Sequence, residues 1–579
     1  MCGICGISNE VNEKAITAML DVIKHRGPDS FDTYITNNYS FGGCRLRIVS
    51  DKAQSLPISL SHKTILLNGE IYNFLDIKNT LELSGERFEL GNEEEVVAKL
   101  FDRYHEKAPS YLKGMFAIAI VSDNELILTR DKFGIKPLYY SQLGDRVVFA
   151  SEIKSILKHP EIKPVINCNA LDELSVFGYI ASLEETLFEG IYQVPPGHTI
   201  TFKPGRKIVH KFADIAEARL AANATGDYQK SASRLYAIIK NSISQMLSHG
   251  LQTKGFYLSG GVDSSFLATI AANLSSEPIL TFTLADSEES EDLLSARRVA
   301  KAIGAKHYEF KVSINDYLKE LPHFIHHYEN IIASGVFDIH GGIAFQLLSK
   351  KISEHVRVAF SGEGADELFG GYYWIYTHPL GFSDRIRSRL KRFTKNDKLV
   401  AQVDLLFPQP EDEDIYRKNV FDFLLRGGLA NYHLWSVDRS CSAFGFETRP
   451  AYLYDDIADF ALSLPIEYKV KGNETKRILK SAALPLFNQY GISDIIDRKK
   501  QGMPAAVNNI ASQLDQLAQE LINDRIISRH PFRKYIINPI DVIMFDLFIY
   551  IFFVNKGDLP DGLDVIEFYK EGKNEDLYG

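Results

Sequence analysis

Residues 255–265 read Gly-Phe-Tyr-Leu-Ser-Gly-Gly-Val-Asp-Ser-Ser, and this stretch decides the fold of the central part of the chain. Its apolar start predicts a short strand, and the apolar run at 266–272 predicts a helix directly after the glycine turn. A strand, a glycine turn and a helix start form an anion cradle, because backbone N–H groups and the positive helix end converge there. The Gly-Lys-Ser/Thr ending of a Walker loop is missing. The sequence therefore predicts a pyrophosphate-binding loop of another kind.

A second glycine-rich loop follows another strand-like run. Residues 356–360 read Val-Arg-Val-Ala-Phe and continue into Ser-Gly-Glu-Gly-Ala-Asp-Glu at 361–367. In a parallel sheet two such loops emerge at one edge, where ligands bind. Phosphates held there need a metal, and Mg²⁺ prefers one or two carboxylates together with phosphate oxygens. Asp263 and Asp366 are the candidate Mg²⁺ ligands.

The N-terminus carries a separate signal, because Cys2 follows the initiator Met1 directly. Removal of Met1 would leave a thiol and a free α-amine on one residue, so that nucleophile and general base need no histidine partner. The α-amine has an ordinary pKa of about 7.7–8.0 and can take the thiol proton as attack proceeds. Cys2 is a candidate catalytic nucleophile.

Three further motifs agree with such a site: His-Arg-Gly-Pro-Asp at 25–29, Arg45, and Leu-Asn-Gly-Glu-Ile-Tyr-Asn at 67–73. Together they resemble the N-terminal nucleophile glutamine amidotransferases, and the resemblance continues through residues 114–117, 130–139 and 150–154. It implies that the Asn68 side chain and the Gly69 backbone N–H stabilise an oxyanion. It also implies that glutamine is bound by a set of residues near Cys2: Arg45, Ile48, Val49, Asn68, Gly69, Glu70 and Glu93.

One position departs from that family pattern. The family binds the glutamine α-amine with an Asp in a Ser-Asp-x-Glu stretch, whereas this chain has Asn-Glu-Glu-Glu at 92–95. Glu93 keeps the charge and adds a methylene, so ammonium recognition is expected with a shifted geometry. Glu94 is a rival for the same role, and an acidic helix start is the alternative explanation for both residues.

Along nearly its whole length the chain resembles the glutamine-dependent asparagine synthetase family. The resemblance rests on the two glycine loops and on residues 292–300, 304–307, 442–449, 476–480 and 498–504. It implies that Glu363 acts where an acyl-adenylate forms and that Lys500 stabilises charge during adenylation. It implies that ATP is bound by Leu258, Ser259, Gly260, Gly261, Val262, Asp263, Ser264, Ser265, Leu284, Ser361 and Gly362.

The departures concentrate where the acceptor should be recognised. The family carries a Thr/Arg/Ser-rich stretch ahead of the second loop, but residues 336–343 read Val-Phe-Asp-Ile-His-Gly-Gly-Ile and show no acceptor arginine. The usual Val-Pro-Phe-Leu-Asp appears as Pro-Ala-Tyr-Leu-Tyr at 450–454, with the acid displaced to Asp455. The acceptor is therefore L-aspartate or another carboxylate, and a sugar acid or a natural-product carboxylate stays open.

Composition sets the wider limits. A length of 579 residues predicts two or more domains, and the net charge of −10 argues against a nucleic-acid partner. Five scattered cysteines favour a reducing cytoplasm over a disulfide framework. The apolar stretch 542–554 contains Asp546 and is too short for a bilayer, so a buried helix is expected and no membrane association. Whether the chain forms a homodimer stays open.

The predicted fold combines α+β and α/β classes. Residues 1–205 are expected to form an αββα glutaminase sandwich of the N-terminal nucleophile type, 206–230 a linker, and 231–579 a parallel-sheet synthetase domain resembling the adenine nucleotide alpha hydrolases. The predicted activity is amide synthesis from glutamine and ATP by an asparagine synthetase-like ligase, with an enclosed ammonia passage between two sites. An intramolecular cyclase would have no use for the glutaminase residues. A non-catalytic nucleotide sensor would have no use for the adenylating residues.

Overall fold

The computed structural model describes residues 2–48, 55–60, 63–122, 125–215, 227–248, 250, 253–332, 339–407, 413–498 and 507–578. The strands, numbered β1 to β17 in chain order, are Cys2–Ser8, Ser30–Ile35, Tyr39–Arg45, Ile58–Leu60, Lys63–Ile71, Gly114–Ser122, Glu125–Arg130, Tyr139–Leu143, Arg146–Ala150, Tyr192–Gln193, His198–Lys203, Arg206–Lys211, Lys254–Tyr257, Leu280–Ala285, Lys306–Lys311, Val358–Ser361 and Glu447–Pro450.

The described α-helices are Glu13–Asp21, Phe74–Leu83, Glu93–Tyr104, Ile153–Ile156, Cys168–Phe177, Tyr228–Ser248, Val262–Leu274, Glu291–Ala302, Ile314–Tyr328, Ile339–Ser353, Ala365–Phe369, Tyr373–Thr377, Pro379–Phe393, Asp397–Leu406, Glu413–Phe423, Trp435–Ser442, Asp455–Ser463, Ile466–Lys469, Arg477–Tyr490, Asn508–Leu521, Asp524–Arg529, Pro539–Ile549 and Val565–Lys570. Two π-helical segments, Leu424–Leu434 and Tyr550–Val554, continue α-helices.

Two antiparallel sheets of six strands form the N-terminal third. Their orders are β10-β8-β9-β1-β3-β2 and β12-β11-β7-β6-β5-β4. The sheets share one apolar layer, in which Ile4 and Phe41 of the first sheet cluster with Leu66 and Leu128 of the second. Helices cover the outer faces, Glu13–Asp21 on the first sheet and Glu93–Tyr104 on the second. The expected αββα sandwich is confirmed.

A parallel five-stranded sheet, in the order β15-β14-β13-β16-β17, forms the centre of the C-terminal part. Successive residues of β13 enter different clusters: Phe256 packs with Phe266 of the following helix, while Tyr257 belongs to the cluster that contains Ile343. Because neighbouring side chains of a strand point to opposite faces, helices cover this sheet on both sides. The expected parallel α/β region is confirmed.

Both ends of the predicted linker at 206–230 have regular secondary structure. Arg206–Lys211 forms β12 and pairs with β11, and the helix Tyr228–Ser248 begins before residue 231. Residues 216–226, which include most of the expected helical linker, lie outside the described residues.

The apolar stretch near the C-terminus forms the buried helix Pro539–Ile549, as expected. Its Phe548 packs on Phe188, whose side chain comes from the N-terminal part of the chain. No described helix is both long enough and apolar enough to cross a membrane.

Candidate active sites

Cys2 lies at the start of β1 and faces Arg45 of β3 in the antiparallel register. Its side chain is buried between the two antiparallel sheets, in one cluster with Leu66. The Cys2 backbone N donates a hydrogen bond to Asn68 Oδ1 over 3.1 Å, and Arg26 Nε donates to the Cys2 carbonyl oxygen over 3.0 Å. Cys2 is therefore held on both sides of its α-carbon.

Asn68 and Gly69 lie in the middle of β5, not at its end. Asn68 is fully buried, and its Nδ2 donates to no group within the described part of the chain. Gly69 has a φ of +138°, and a Cβ atom added there would lie 1.9 Å from the Met115 carbonyl oxygen. Only glycine fits that position. The strand beside Cys2 therefore places the free Asn68 amide donor next to the backbone of Gly69, which has no side chain.

Arg45 is paired with Glu94, which lies in the first turn of the helix Glu93–Tyr104. The neighbouring Glu93 accepts a hydrogen bond from the Ile71 backbone N over 3.2 Å, and its Oε1 has no partner among the described residues. Burial, together with Glu70 and Glu94, raises the pKa of Glu93 well above its usual value. Glu94 thus places a carboxylate oxygen against Arg45, whereas Glu93 is biased toward the neutral form.

The other predicted glutamine-binding residues are distributed around this cluster. Ile48 is buried, and Glu70 follows Gly69 on β5 with its Oε2 3.8 Å from an Arg449 nitrogen. Val49 lies outside the described residues.

The second candidate site is a cavity of about 640 Å³ at the carboxyl ends of the parallel strands. Nine of the residues predicted for ATP, Mg²⁺ and adenylation line it: Leu258, Ser259, Asp263, Ser264, Leu284, Ser361, Gly362, Glu363 and Asp366. They come from β13, β14, β16 and the loops that follow, so the structure brings together the two glycine loops that are 100 residues apart in sequence.

The first glycine loop is closed by its own serines. Ser259 Oγ accepts from the Gly261 backbone N over 3.4 Å and contacts Ser264 Oγ over 3.2 Å. Gly260 has a φ of +70°, and a Cβ atom there would lie 2.5 Å from Ser295. The helix Val262–Leu274 begins directly after this turn, as the sequence predicted, and Ser265 is fully buried in its first turn.

Lys476 joins the two predicted metal ligands. Its Nζ lies 2.5 Å from Asp263 Oδ2 and 2.5 Å from Asp366 Oδ1, and its side chain is only 4% exposed. A Cβ atom at Gly371 would lie 1.8 Å from Asp366 Oδ1 and 2.2 Å from Lys476 Cε. The chain therefore needs glycine at position 371 to let this triad close, and the triad marks a point where a cation is stabilised.

Glu363 faces a cluster that the sequence did not predict. His433 Nδ1 lies 3.7 Å from Glu363 Oε2, and His433 Nε2 lies 3.4 Å from Glu367 Oε1. Tyr372 donates to Glu367 and lies 2.7 Å from His433 Nε2. Burial, followed by the charge of Glu367, raises the pKa of Tyr372 well above its usual value, so its hydroxyl stays a donor.

The cavity lining agrees with the departure from the family pattern that the sequence showed at 336–343. Among the described residues that line the cavity there is no arginine and no lysine, while Tyr179, Trp374 and Phe423 contribute aromatic rings. Residues 333–338 and Lys500 lie outside the described residues. Asp455 lies away from the cavity, accepts from the Gly114 backbone N over 3.0 Å, and has its pKa raised to about 7 by burial.

Sequence reasoning missed Lys476, His433 and Tyr372. Lys476 belongs to a stretch that matched the family, but only the fold shows that the two carboxylates meet around its ammonium group. His433 and Tyr372 belong to no recognised motif. The available signal for His433 was a polar residue between aromatic and apolar neighbours, and for Tyr372 its position directly after the glycines of the second loop.

The two sites are linked by buried polar contacts. Glu70, next to Gly69, faces Arg449 on β17, and Arg449 donates to Glu447 over 2.8 Å. Glu447 also pairs with Lys136 over 3.4 Å. Since β17 pairs with β16, which ends at Ser361, this line of charged groups runs from the strand beside Cys2 to the strand beside the cavity.

Comparison with known proteins gives two family matches. Residues 1–213 match a glutamine amidotransferase domain, and residues 237–539 match the asparagine synthase family. The asparagine synthetase [glutamine-hydrolyzing] 1 of Bacillus subtilis is 27% identical, with 93% of each chain covered. The Gallus gallus asparagine synthetase [glutamine-hydrolyzing] is 26% identical over 93% of this chain and 91% of its own.

Similarity to solved structures is weaker. The Bacillus subtilis glutamine phosphoribosylpyrophosphate amidotransferase is 15% identical, with a TM-score of 0.28 and coverage of 53% of this chain and 81% of its own. The NAD⁺ synthetase of Burkholderia pseudomallei is 14% identical, with a TM-score of 0.20 and coverage of 36% and 96%.

Proposed function

This chain belongs to the asparagine synthase family, and from that premise we propose that its acceptor is the side-chain carboxylate of L-aspartate. The enzyme is a glutamine-hydrolysing carbon–nitrogen ligase that makes an amide at the expense of ATP. The observation that carries the assignment is the pairing, in one chain, of the Cys2–Asn68 cluster with the cavity between the two glycine loops. The acceptor proposal rests on the named relatives that the chain matches over most of its length.

In the first half-reaction the Cys2 thiol attacks the side-chain amide carbon of glutamine, and the α-amine of Cys2 takes the thiol proton. The amide oxygen becomes an oxyanion, which the Asn68 Nδ2 and the Gly69 N–H would stabilise. Collapse of the intermediate expels ammonia with that proton and leaves a thioester, which water hydrolyses to glutamate. The free Nδ2 of a fully buried Asn68 supports this role, because an unused buried donor is costly unless a ligand completes it.

Arg45 would bind the glutamine α-carboxylate through its two-pronged guanidinium, and a carboxylate of the adjacent helix would bind the α-amine. Glu94 supports the second role better than Glu93, since it already lies against Arg45 while burial favours the neutral form of Glu93. This choice between the two acids refines the expectation drawn from the sequence.

In the second half-reaction an acceptor carboxylate oxygen attacks the α-phosphorus of ATP, and pyrophosphate leaves. Ammonia then attacks the acyl carbon, and AMP leaves with the bonding electron pair. A carboxylate is a poor electrophile without this activation. Ser259 and Ser264 in the first loop would hold the pyrophosphate, Ser361 and Gly362 would border the nucleotide, and Glu363 and Lys500 would act at the adenylation step.

Mg²⁺ fits the residues at the loop junction. Asp263 and Asp366 would supply the two hard carboxylate ligands that Mg²⁺ prefers, and the Lys476 ammonium between them supports a site that favours positive charge. Bound there, the metal would neutralise the phosphates of ATP. The Lys476 ammonium would be available to pair with phosphate oxygens once the metal took its place between the carboxylates.

We further propose that ammonia moves through an enclosed passage and that the chain divides within the predicted linker at 206–230, with β12 (Arg206–Lys211) on the side of domain 1–205 and the start of the helix Tyr228–Ser248 on the side of domain 231–579. Ammonia is mostly protonated near neutral pH and cannot attack in that form, so release into bulk water would waste it. The buried line from Glu70 through Arg449 supports a connected interior. A reducing cytoplasm suits a thiol nucleophile and five free cysteines, four of them buried.

The test supplies ATP, Mg²⁺ and ammonium with a panel of carboxylic acids and measures AMP, pyrophosphate and amide. Aspartate should give all three products in equal amounts, and asparagine should be identified by mass. A sugar acid or an aromatic acid that turns over while aspartate does not would overturn the acceptor proposal and leave the ligase assignment intact.

A further inference from the structure

Arg26 connects the candidate nucleophile to the opposite domain. Its Nε donates to the Cys2 carbonyl oxygen over 3.0 Å, and its two terminal nitrogens bind Asp438 over 2.9 and 3.2 Å. Asp438 belongs to the helix Trp435–Ser442, in the part of the chain that matches the synthase family. The Arg26 side chain is 0% exposed, so it cannot touch glutamine and can act only through Cys2.

We propose that Asp438, a residue of the synthetase domain, is a positioning residue for the glutaminase nucleophile: it fixes the Arg26 guanidinium, which in turn fixes the Cys2 peptide. This inference rests on the proposed role of Cys2 and extends that site across the domain interface. The glutaminase site is then incomplete without the second domain.

The geometry explains why Asp438 matters although a second acid also holds Arg26. Glu152 contacts only Nη1, over 2.7 Å, and a guanidinium held at one nitrogen can pivot about that contact. Asp438 engages both terminal nitrogens, and this fork fixes the plane of the guanidinium and with it the direction of Nε. Ser442 adds a neutral partner to Nη1 over 3.0 Å.

Cys2 needs such support because it would be the first residue of the mature chain. Once Met1 is removed, its backbone is held by three contacts: the amine on Asn68, the carbonyl on Arg26, and the pairing with β3. A rotation of the first peptide moves Sγ relative to Asn68. Misplacement of a reacting group by about 1 Å can cost about a hundredfold in rate.

Asp438 is part of a buried set of six charges, which we call the interdomain ion network. Three members come from the glutaminase side and three from the synthetase side: Arg26, Glu152, Lys154, Glu329, Asp438 and Arg439. Burial alone would lower the pKa of Arg26, but Asp438 and Glu152 outweigh it and raise that pKa. The guanidinium therefore stays charged and depends on an anion that the other domain supplies.

The experiment compares Asp438→Asn with the wild-type enzyme in two assays: glutamate release from glutamine, and amide synthesis from ammonium. We expect the variant to lose about ten- to a hundredfold in kcat for glutamine hydrolysis while KM for glutamine stays within about threefold, since Arg45 and Glu94 are unchanged. Synthesis from ammonium should stay within about twofold. A merely structural defect would instead reduce both activities together.

Asp456→Asn is the matched control. It also removes an acid from an interdomain ion pair, with Lys113 at 2.7 Å, but that pair is exposed and has no contact with Cys2. We expect both activities of this variant to match the wild type. Arg26→Lys should reproduce the kcat loss. Adding Asp438→Asn to it should cause little further loss, because both changes disrupt the same chain of contacts from Asp438 through Arg26 to Cys2.

A glutaminase kcat of Asp438→Asn within twofold of the wild type would overturn the inference, as would equal losses in both assays. If that variant does not fold, Asp438→Glu replaces it, with an expected intermediate loss of glutaminase kcat, and an unchanged kcat there would count against the inference. A wild-type enzyme that released no glutamate would instead refute the proposed role of Cys2.

Discussion

The two candidate sites are built in different ways. Around Cys2 the candidate residues Cys2, Arg45 and Asn68 lie on three strands, β1, β3 and β5, and the Cys2 backbone N is already hydrogen-bonded to Asn68. Around the cavity they stand on loops that follow parallel strands, where Lys476 bridges two carboxylates that would have to accept a metal. If the proposed roles hold, the first site would need only its small substrate, whereas the second would have to exchange the Lys476 contacts for a metal when the nucleotide binds.

This difference predicts that each site can be lost alone. Cys2→Ala should abolish glutamine-dependent synthesis, with a loss of about 10⁴-fold or more, because the nucleophile and its thioester are gone. Synthesis from ammonium should stay within about twofold. The measurement is amide formation with each nitrogen source, and undiminished synthesis from glutamine would refute the assignment.

The opposite variant is Lys476→Met, which keeps an unbranched side chain one atom shorter and removes its charge. Two carboxylates would then face each other without a cation, and no ammonium group could move to the phosphates. We expect synthesis to fall by about 10²- to 10³-fold with either nitrogen source. Glutamate release should continue at a rate near that of the wild type, and a parallel loss of glutaminase activity would show that the sites are not separable in this way.

A smaller effect is expected when only substrate binding is altered in the strand-built site. Arg45→Lys keeps the charge but not the two-pronged geometry, so KM for glutamine should rise about tenfold with a smaller change in kcat. Glu94→Gln and Glu93→Gln form a matched pair, since the residues are adjacent on one helix. Glu94→Gln should raise KM more than Glu93→Gln, and the reverse order would return the α-amine to Glu93.

The smallest effect concerns the contact between the two domains rather than either site. Burial raises the pKa of Asp455 to about 7, above its value in the unfolded chain, so the folded state binds this proton more tightly. The associated stability is present below about pH 4 and is lost as pH rises toward 7. Asp455→Asn keeps an acceptor for Gly114 N and removes the ionisation.

We therefore expect Asp455→Asn to raise the free energy of unfolding at pH 8 by an amount on the order of 1 kcal/mol, seen as a higher apparent Tm, and to change the stability little at pH 4. Thermal unfolding at both pH values measures this. A gain of equal size at both pH values would show that the side chain acts through packing and not through its charge.

The sequence predicted the main residues of both sites, but it did not predict the role of Lys476 in the loop-built site. Cys2, Arg45 and Asn68 could be found because they lie in separate motifs that resemble one family, and β1, β3 and β5 bring them together. The glycine loops were equally visible, and both line the cavity. Lys476 lies in a stretch that matches the family, but its contacts depend on two loops that meet only in the folded chain.

The same limit applies to Arg26 and Asp438. Each lies in or beside a recognisable motif, but more than 400 residues separate them, and no local pattern shows that they form a buried ion pair. The choice between Glu93 and Glu94 also needed the structure, since only the fold shows that Glu94 lies against Arg45 and that the pKa of Glu93 is raised.

The interdomain ion network has a consequence for protein engineering. The glutaminase side contributes Arg26, Lys154 and Glu152, which carry one excess positive charge, and the synthetase side contributes one excess negative charge. In a glutaminase domain transplanted onto a different synthetase, we expect the buried Arg26 to lose a counter-ion unless the new partner supplies an acid at the position of Asp438. The two domains are therefore coupled through buried charges. A chimera of this family should transfer the helix Trp435–Ser442 together with the N-terminal sandwich.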